Sequence, residues 1–174
     1  MKYIVFGYKR HGKDTACEIL QEKFGLRYAA SSEFACEKFL FEQLRASHGY
    51  ETVQDCFEDR HNHRALWFNA IRDYNRSDLA RLGKEIFAEN DIYCGIRNKE
   101  EFDALRKEGF FDLAIWIDAS ERLPPEDASS MTLTRADADI VIDNNDSLEA
   151  FEARLKRVFQ CFPIAPRNAA KISP

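Results

Sequence analysis

The chain has 174 residues, a length that suits one compact domain with a sizeable hydrophobic core and disfavours a large second domain. Hydrophobic residues make up 45% and charged residues 32%, and neither a membrane-length apolar run nor a secretory signal is recognisable, so the sequence predicts a globular protein that does not enter a membrane. The net charge of −5 disfavours broad, charge-driven binding of nucleic acid, for which a basic surface is the usual footprint. Any anionic ligand must therefore be held by local clusters of basic residues.

The cysteines are scattered along the chain without a Cys-x-x-Cys pair, which disfavours both a zinc site and a disulfide framework. They are Cys17, Cys36, Cys56, Cys94 and Cys161. A reducing cytoplasm is the compartment that this usage fits best.

Residues 3–15 form the most informative segment of the chain. A short apolar strand runs into a turn bracketed by Gly7 and Gly12, and Lys13 follows the second glycine. The turn also contains Lys9, Arg10 and His11. A helix that starts directly after a buried strand exposes unpaired backbone N–H groups, which bind phosphate with the help of the helix dipole. Because the glycines let the backbone close on an anion and the lysine can neutralise it, the segment predicts a loop that binds the phosphates of ATP.

One position of this loop departs from the common pattern. Phosphate-binding loops usually place Ser or Thr directly after the lysine as a magnesium ligand, whereas this chain has Asp14 there and Thr15 one place later. An amphipathic helix follows, as the pattern requires. The identity of the magnesium ligand is therefore the unusual feature of the loop.

The middle of the chain is predicted to be mainly helical. Residues 26–30 are predicted as a second strand, after which Ser31 or Ser32 can cap a helix. Two further amphipathic helices follow, one over residues 64–74 and one capped by Ser77. We expect these helices to form an insertion over the edge of a sheet.

Alternation of strands and helices resumes after Asp91. Asn98 opens a short helix, and Glu101, three residues on, predicts a capping box. The later strands are predicted at residues 92–96, 112–118 and 139–143, and the last helix carries residues 148–162. Repeated strand–helix units predict an α/β fold, with a parallel sheet and helices on both of its faces.

Basic residues occur where a small phosphorylated ligand would bind. Arg97 leaves the carboxyl end of the strand at residues 92–96, the edge where open parallel sheets place their ligands. Arg60 and Arg64 lie four residues apart in a segment that is predicted to begin a helix, so they can converge on one anion. Trp67 in the same helix can stack on a base, although aromatic residues at helical spacing more often belong to the core.

Further candidates follow other strands. Ser32 and Phe34 come after the second strand, where Ser32 is equally well explained as a helix cap. Arg122 lies in a polar, proline-containing turn that can close over ATP or remain a surface loop. Asn144 follows the last strand and either meets the nucleotide base or belongs to a plain turn.

Together these segments resemble the P-loop nucleoside monophosphate kinases, and most closely the bacteriophage-type deoxynucleoside monophosphate kinases. The specific matches are residues 7–15 and residues 93–98 with Glu101 and Phe102, and the supporting ones are residues 59–67 and 138–145. The resemblance implies a three-layer P-loop NTPase fold with sheet order 2-3-1-4-5.

The same resemblance implies how the chain is divided. Residues 1–162 would form a single P-loop kinase domain, in which residues 48–90 are a helical acceptor-binding insertion and residues 119–135 a short lid. Residues 163–174, with three prolines and little pattern, are expected to form a loosely ordered tail.

The activity implied by the resemblance is transfer of the γ-phosphoryl group of ATP to a deoxynucleoside 5′-monophosphate, with Mg²⁺ as cofactor. The protein would act in the cytoplasm, which is that of the host if the chain is phage-encoded. Its catalytic residues would be Lys13, Arg97 and Arg122. Its ATP-binding residues would be Gly7, Lys9, Arg10, His11, Gly12, Lys13, Asp14, Thr15, Arg122 and Asn144. Its acceptor-binding residues would be Ser32, Phe34, Arg60, Arg64, Trp67 and Arg97.

The chain departs from the wider family at the end of the third strand. Many relatives carry an Asp-Gly pair there, whereas this chain has Cys94 before its glycine. We hypothesise that Asp14 supplies the missing carboxylate to magnesium, directly or through water, with Thr15 beside it. Asp118, which ends the fourth strand, is the rival carboxylate. The predicted lid is also short and carries few cations, which predicts an open donor site.

Other functions stay open at this point. One is a different small-molecule kinase on the same scaffold, resembling phosphomevalonate or dephospho-coenzyme A kinases. Another is a nucleotide sensor that binds ATP without transferring phosphate. The accepted base, the choice between deoxyribose and ribose, and a possible homodimer are likewise left open by the sequence.

Overall fold

The computed structural model describes residues 1–162, and the predicted tail lies outside them. Its five strands are β1 (Tyr3–Phe6), β2 (Tyr28–Ala30), β3 (Ile92–Cys94), β4 (Leu113–Asp118) and β5 (Ile140–Asp143). All neighbouring strands are parallel, and their order is β2-β3-β1-β4-β5. The predicted α/β fold and sheet order are therefore confirmed.

Helices cover both faces of this sheet. They are α1 (Lys13–Phe24), α2 (Ser31–Ala35), α3 (Phe41–His48), α4 (Val53–Asp59), α5 (Arg64–Tyr74), α6 (Arg81–Glu89), α7 (Lys99–Lys107) and α8 (Leu148–Gln160). A π-helical turn, Cys36–Leu40, joins α2 to α3, and a short 3₁₀ turn, Arg135–Asp137, precedes β5. None of the helices in the described part of the chain is both long and apolar enough to cross a membrane.

The central strand β1 divides the hydrophobic core into two layers. Successive side chains of a strand point to opposite faces, so Ile4 and Phe6 join the layer that packs against α2, α3, α5, α6 and α7. Tyr3 and Val5 join the layer under α1 and α8. All four side chains are fully buried, as expected for a strand covered on both faces.

The helical segment before β3 differs from the prediction in two places. Residues 58–64 do not begin one helix, because α4 ends at Asp59 and a turn separates it from α5. In that turn the Asn62 N–H donates to the Asp59 carbonyl at 2.9 Å. Arg60 therefore lies in the turn, and Arg64 lies at the start of the next helix.

The predicted cap at Ser77 is also wrong, because α6 begins only at Arg81. The Asp78 carboxylate accepts a hydrogen bond from the Ala80 N–H at 3.0 Å and forms a local turn ahead of the helix. Leu79 lies in this turn and is 45% exposed. Similarly, β3 is shorter than predicted because Gly95 has φ 85°, which ends the extended conformation.

Candidate active site

The loop between β1 and α1 is shaped by two glycines that no other residue would replace without strain. Gly7 has φ 151°, and a Cβ atom there would lie 2.5 Å from the carbonyl oxygen of Ile117 in β4. Gly12 has φ 95° immediately before α1, and its Cβ would lie 2.4 Å from the side-chain nitrogen of Asn144. The backbone thus passes close under the sheet edge and presents the N-terminus of α1, as an anion-binding loop requires.

A set of side chains behind the loop braces it against the ends of β4 and β5. His11 is fully buried, and its Nδ1 accepts a hydrogen bond from the Ala119 N–H at 3.0 Å. Burial lowers the pKa of His11, which keeps the ring neutral and able to accept that hydrogen bond. Asn144 donates to the His11 carbonyl at 2.9 Å, and Arg122 donates to the Asn144 carbonyl at 3.1 and 2.5 Å. The loop is thus fixed to the ends of β4 and β5 by three residues, His11, Arg122 and Asn144.

Lys13 lies in the first turn of α1 with only 8% of its surface exposed. Its ammonium donates to the carbonyl of Tyr8 at 2.7 Å within the same loop. Burial lowers the pKa of Lys13, and the nearby positive charge of Arg97 lowers it further. An anion bound in the loop would relieve both effects.

A cavity of about 480 Å³ opens beside the loop, between the ends of β2 and β3 and helix α5. That volume is within the range of small-molecule sites. The sequence-predicted residues that line it are Lys9, Arg10, Lys13, Asp14, Ser32, Arg60, Arg64, Trp67 and Arg97. The remaining candidates, Gly7, His11, Gly12, Thr15, Phe34, Asp118, Arg122 and Asn144, lie outside its lining. The structure therefore brings the predicted acceptor cations and the loop lysine to one place.

The arginines of this cavity are held in fixed positions by neighbouring groups. The Arg60 guanidinium lies 3.7 Å from the ring centroid of Phe57 and donates to the Phe57 carbonyl at 2.7 Å. Burial lowers the pKa of both Arg60 and Arg64, and the proximity of Arg97 adds to the effect on Arg64. Arginine stays charged despite such shifts, so the cavity concentrates positive charge.

Glu126, a residue that sequence reasoning missed, neutralises part of this charge. One of its carboxylate oxygens accepts from Arg97 at 2.6 Å and also from Arg64, and the other accepts from the Lys9 N–H at 2.9 Å. The Ser130 hydroxyl donates to it at 3.3 Å, and the side chain is 6% exposed. Burial alone would raise the pKa of Glu126, but the two arginines outweigh it and hold the pKa below its ordinary value. The only sequence signal was an acid directly after two prolines in the predicted lid.

Glu101 is a second missed residue in the cavity lining. The predicted capping box is wrong: Asn98 caps α7 by accepting from the Glu100 N–H at 2.7 Å, whereas the Glu101 carboxylate accepts from the Tyr93 hydroxyl at 2.9 Å. Burial raises the pKa of Glu101 to about 7, although the hydrogen bond from Tyr93 favours the charged form. A titratable carboxyl thus lies in the cavity wall.

The aromatic candidates differ in their exposure. Trp67 lines the cavity but is only 5% exposed, so most of its ring packs in the core. Phe34 is half-buried and packs against the same core layer. Phe68, which follows Trp67 directly, and Ile71, one turn of α5 further on, add apolar surface to the cavity.

The candidate magnesium ligands lie in different surroundings. Asp14 lines the cavity in the first turn of α1, and the Cys94 thiol donates to its Oδ1 at 3.5 Å. Asp118 is 7% exposed, and its oxygens interact with the Ser120 N–H and with Arg135, both at 3.2 Å. Within residues 1–162, no cluster of three or more acidic, cysteine or histidine side chains forms a metal cage. The Asp14 carboxylate in the cavity wall nevertheless fits Mg²⁺ held mostly by phosphate oxygens and water, whereas Thr15 lies outside the lining.

Two solved structures are similar to this chain over nearly its whole length. Shikimate kinase from Aquifex aeolicus superposes with a TM-score of 0.52 at 14% sequence identity, covering 92% of this chain and 95% of that one. Shikimate kinase from Bacteroides thetaiotaomicron gives a TM-score of 0.51 at 10% identity, covering 92% and 97%. The chain has the three-layer P-loop NTPase fold that the resemblance implied.

The shared fold confirms the fold class and sheet order implied by the resemblance found in the sequence. Similarity at such low identity establishes the fold, whereas the acceptor has to be argued from the site itself. The sequence matches no protein-family model and no curated protein.

Proposed function

We propose that the protein transfers the γ-phosphoryl group of ATP to the phosphate of a deoxynucleoside 5′-monophosphate. The observation that carries the proposal is the convergence of Arg64 and Arg97, from two different elements, on a single anion position that the Glu126 carboxylate marks. The two arginines line the same cavity as Lys13 of the phosphate-binding loop. A site with two phosphate-binding centres fits a kinase whose acceptor already carries a phosphate.

Different residues of the cavity bind the donor and the acceptor for in-line phosphoryl transfer. Lys13 and the backbone N–H groups of the loop hold the β- and γ-phosphates of ATP, while Arg97 and Arg64 hold the acceptor phosphate. Their positive charges stabilise the negative charge that spreads over the transferring group. Bound Mg²⁺ would neutralise the β- and γ-oxygens, with Asp14 as the residue that would hold it.

Proton removal needs no catalytic base in this scheme. The acceptor phosphate is already anionic at neutral pH, so it attacks without losing a proton. Alignment and exclusion of water are therefore the main contributions of the protein. The half-buried arginines provide the alignment, because Phe57 holds the Arg60 guanidinium and Arg97 donates to the Ser130 carbonyl at 3.3 Å.

The nucleoside portion of the acceptor is assigned to the apolar part of the cavity lining. Trp67, Phe68 and Ile71 provide apolar surface there, while Ser32 and Glu101 add polar groups. An apolar surface with a few polar groups is the usual composition of a small-molecule site.

The test is a coupled assay of ADP release with a panel of deoxynucleoside and ribonucleoside monophosphates, using Lys13→Ala as the inactive control. We expect release that depends on the acceptor and on Lys13. A second set of acceptors separates the alternatives: shikimate, the acceptor named for the two similar structures, phosphomevalonate and dephospho-coenzyme A. Turnover of one of these alone would replace the proposal, and ATP binding without ADP release from any acceptor would indicate a sensor.

A further inference from the structure

We propose that Glu126 determines which anionic group the acceptor site takes. Its carboxylate occupies the position assigned above to the acceptor phosphate, and this restricts the site to acceptors with a phosphate dianion and excludes those with a single carboxylate. The inference rests on the proposed function, in that Arg64 and Arg97 are taken as the acceptor's anion site.

The hydrogen-bond geometry shows that Glu126 is bound as a ligand would be. Arg64 and Arg97 donate to one of its oxygens, and the N–H of Lys9 in the phosphate-binding loop donates to the other. The carboxylate therefore bridges the acceptor arginines and the donor loop. The charge of Lys13 also favours its ionised form, so the position is electrostatically suited to a small anion.

The surroundings of Glu126 allow its side chain to leave. The flanking residues Pro125 and Asp127 are exposed, so withdrawal of the carboxylate would uncover no apolar core. The loop is anchored further on, where Met131 and Leu133 are 4% and 1% exposed. Glu126 thus contacts two arginines of the cavity wall, and the anchor of the loop does not depend on it.

Any ligand of this site has to compete with the Glu126 carboxylate for the two arginines. An intramolecular group on a short loop has an effective concentration on the order of millimolar, so a free carboxylate of the same charge competes poorly below that concentration. A phosphate monoester carries up to about two negative charges and three terminal oxygens, so it makes more charge-assisted hydrogen bonds to the arginines. A ligand's apparent affinity is its intrinsic affinity reduced by the fraction of sites that Glu126 leaves open.

The test measures binding of inorganic phosphate by calorimetry, without ATP, at about pH 8, where phosphate is mainly dianionic. The proteins are wild type, Glu126→Gln, Glu126→Ala and the matched control Glu121→Gln, an exposed acid in the same loop whose backbone N–H donates to Asn145. We expect both Glu126 variants to bind phosphate about tenfold more tightly, and Glu121→Gln to bind like wild type. Phosphate affinity that is unchanged or weaker in both Glu126 variants would overturn the proposal, because Glu126 would then be absent from the anion site or would position the arginines.

Selectivity is measured in the same experiment by adding excess acetate. We expect acetate to raise the apparent dissociation constant for phosphate in the Glu126 variants and to leave the wild-type value unchanged. Equal competition by acetate in all four proteins would overturn the claim of selectivity. Because the assay needs neither ATP nor a nucleoside, its outcome is independent of whether deoxynucleoside monophosphates are turned over.

Discussion

The thiol of Cys94 donates a hydrogen bond to Oδ1 of Asp14 across 3.5 Å. Cys94 ends β3, where many relatives in the resembled superfamily carry an acid, and Asp14 lies in the first turn of α1, where they carry a hydroxyl. Since the two side chains are neighbours, a carboxylate on either residue would reach the same part of the cavity. This contact supports the hypothesis that Asp14 has taken over the magnesium role of the missing acid.

The first prediction follows from that contact. We expect Asp14→Ser to raise the magnesium concentration needed for half-maximal turnover by about tenfold or more, because a hard oxygen ligand is lost. Adding Cys94→Asp to this variant should restore much of the loss, since it returns a carboxylate to the same region. Magnesium titrations of both single variants and the double variant measure the coupling. Losses that simply add, without rescue, would contradict the hypothesis.

The second prediction concerns Lys13. We expect Lys13→Ala to lower turnover by at least about 100-fold, because the charge that stabilises the transferring phosphoryl group is removed. Its hydrogen bond to Tyr8 contributes about 1 kcal/mol, so the fold should remain intact. Initial rates and thermal unfolding measure the two effects separately. A variant that folds and keeps near-normal turnover would exclude Lys13 from catalysis.

The third prediction separates the acceptor site from the donor site. We expect Arg97→Ala to raise the acceptor KM by about 10- to 100-fold and to change the KM for ATP much less, because a charge-assisted contact to the acceptor is lost. The exposed Arg76 provides a matched control, since its side chain pairs with Asp73 on the surface. Steady-state kinetics with each substrate varied in turn measure both values. Unchanged acceptor kinetics in Arg97→Ala would remove Arg97 from the acceptor site.

The fourth prediction uses the buried carboxyl of Glu101, whose pKa is raised from 4.5 to about 7 mainly by burial. Between these values the folded protein binds more protons than the unfolded chain, so its free energy of unfolding falls as the pH rises. Glu101→Gln removes this titration and keeps an oxygen that can accept from Tyr93. We expect the stability of the variant relative to wild type to increase across this window by on the order of 2–3 kcal/mol.

Urea unfolding at a series of pH values tests the Glu101 prediction. The control is Glu100→Gln, an exposed acid on the same helix. If the stability curves of wild type and Glu101→Gln run parallel from about pH 4.5 to 7, the carboxyl does not titrate as its burial implies.

The fold could be predicted because its signals are local. Two glycines around a turn, an apolar strand before it and an amphipathic helix after it specified the loop, and the resemblance supplied the sheet order. Helix boundaries in residues 58–81 were less predictable, because Asp59 and Asp78 form turns that compete with helical hydrogen bonding. The helical spacing of apolar residues does not reveal these competing turns.

The site could be predicted only in part. The cations were found because Lys13 and Arg97 follow strands whose carboxyl ends meet at one sheet edge. Glu126 was not predicted as a site residue. It contacts Arg64, which is 62 positions away in the sequence, and this contact depends on the path of an irregular loop. Glu101 was assigned to a helix cap because its spacing from Asn98 fits that pattern, whereas burial beside Tyr93 decides its environment.

The central claim is that a phosphate group of the acceptor, held by Arg64 and Arg97, receives the γ-phosphoryl group of ATP. The most direct test is ³¹P NMR of wild-type protein with ATP, Mg²⁺ and a mixture of deoxynucleoside monophosphates, run beside Lys13→Ala. The account predicts a deoxynucleoside diphosphate that accumulates in step with ADP, and neither product with the variant. ADP appearing with free inorganic phosphate, or phosphorylation of an acceptor hydroxyl in place of its phosphate, would contradict it.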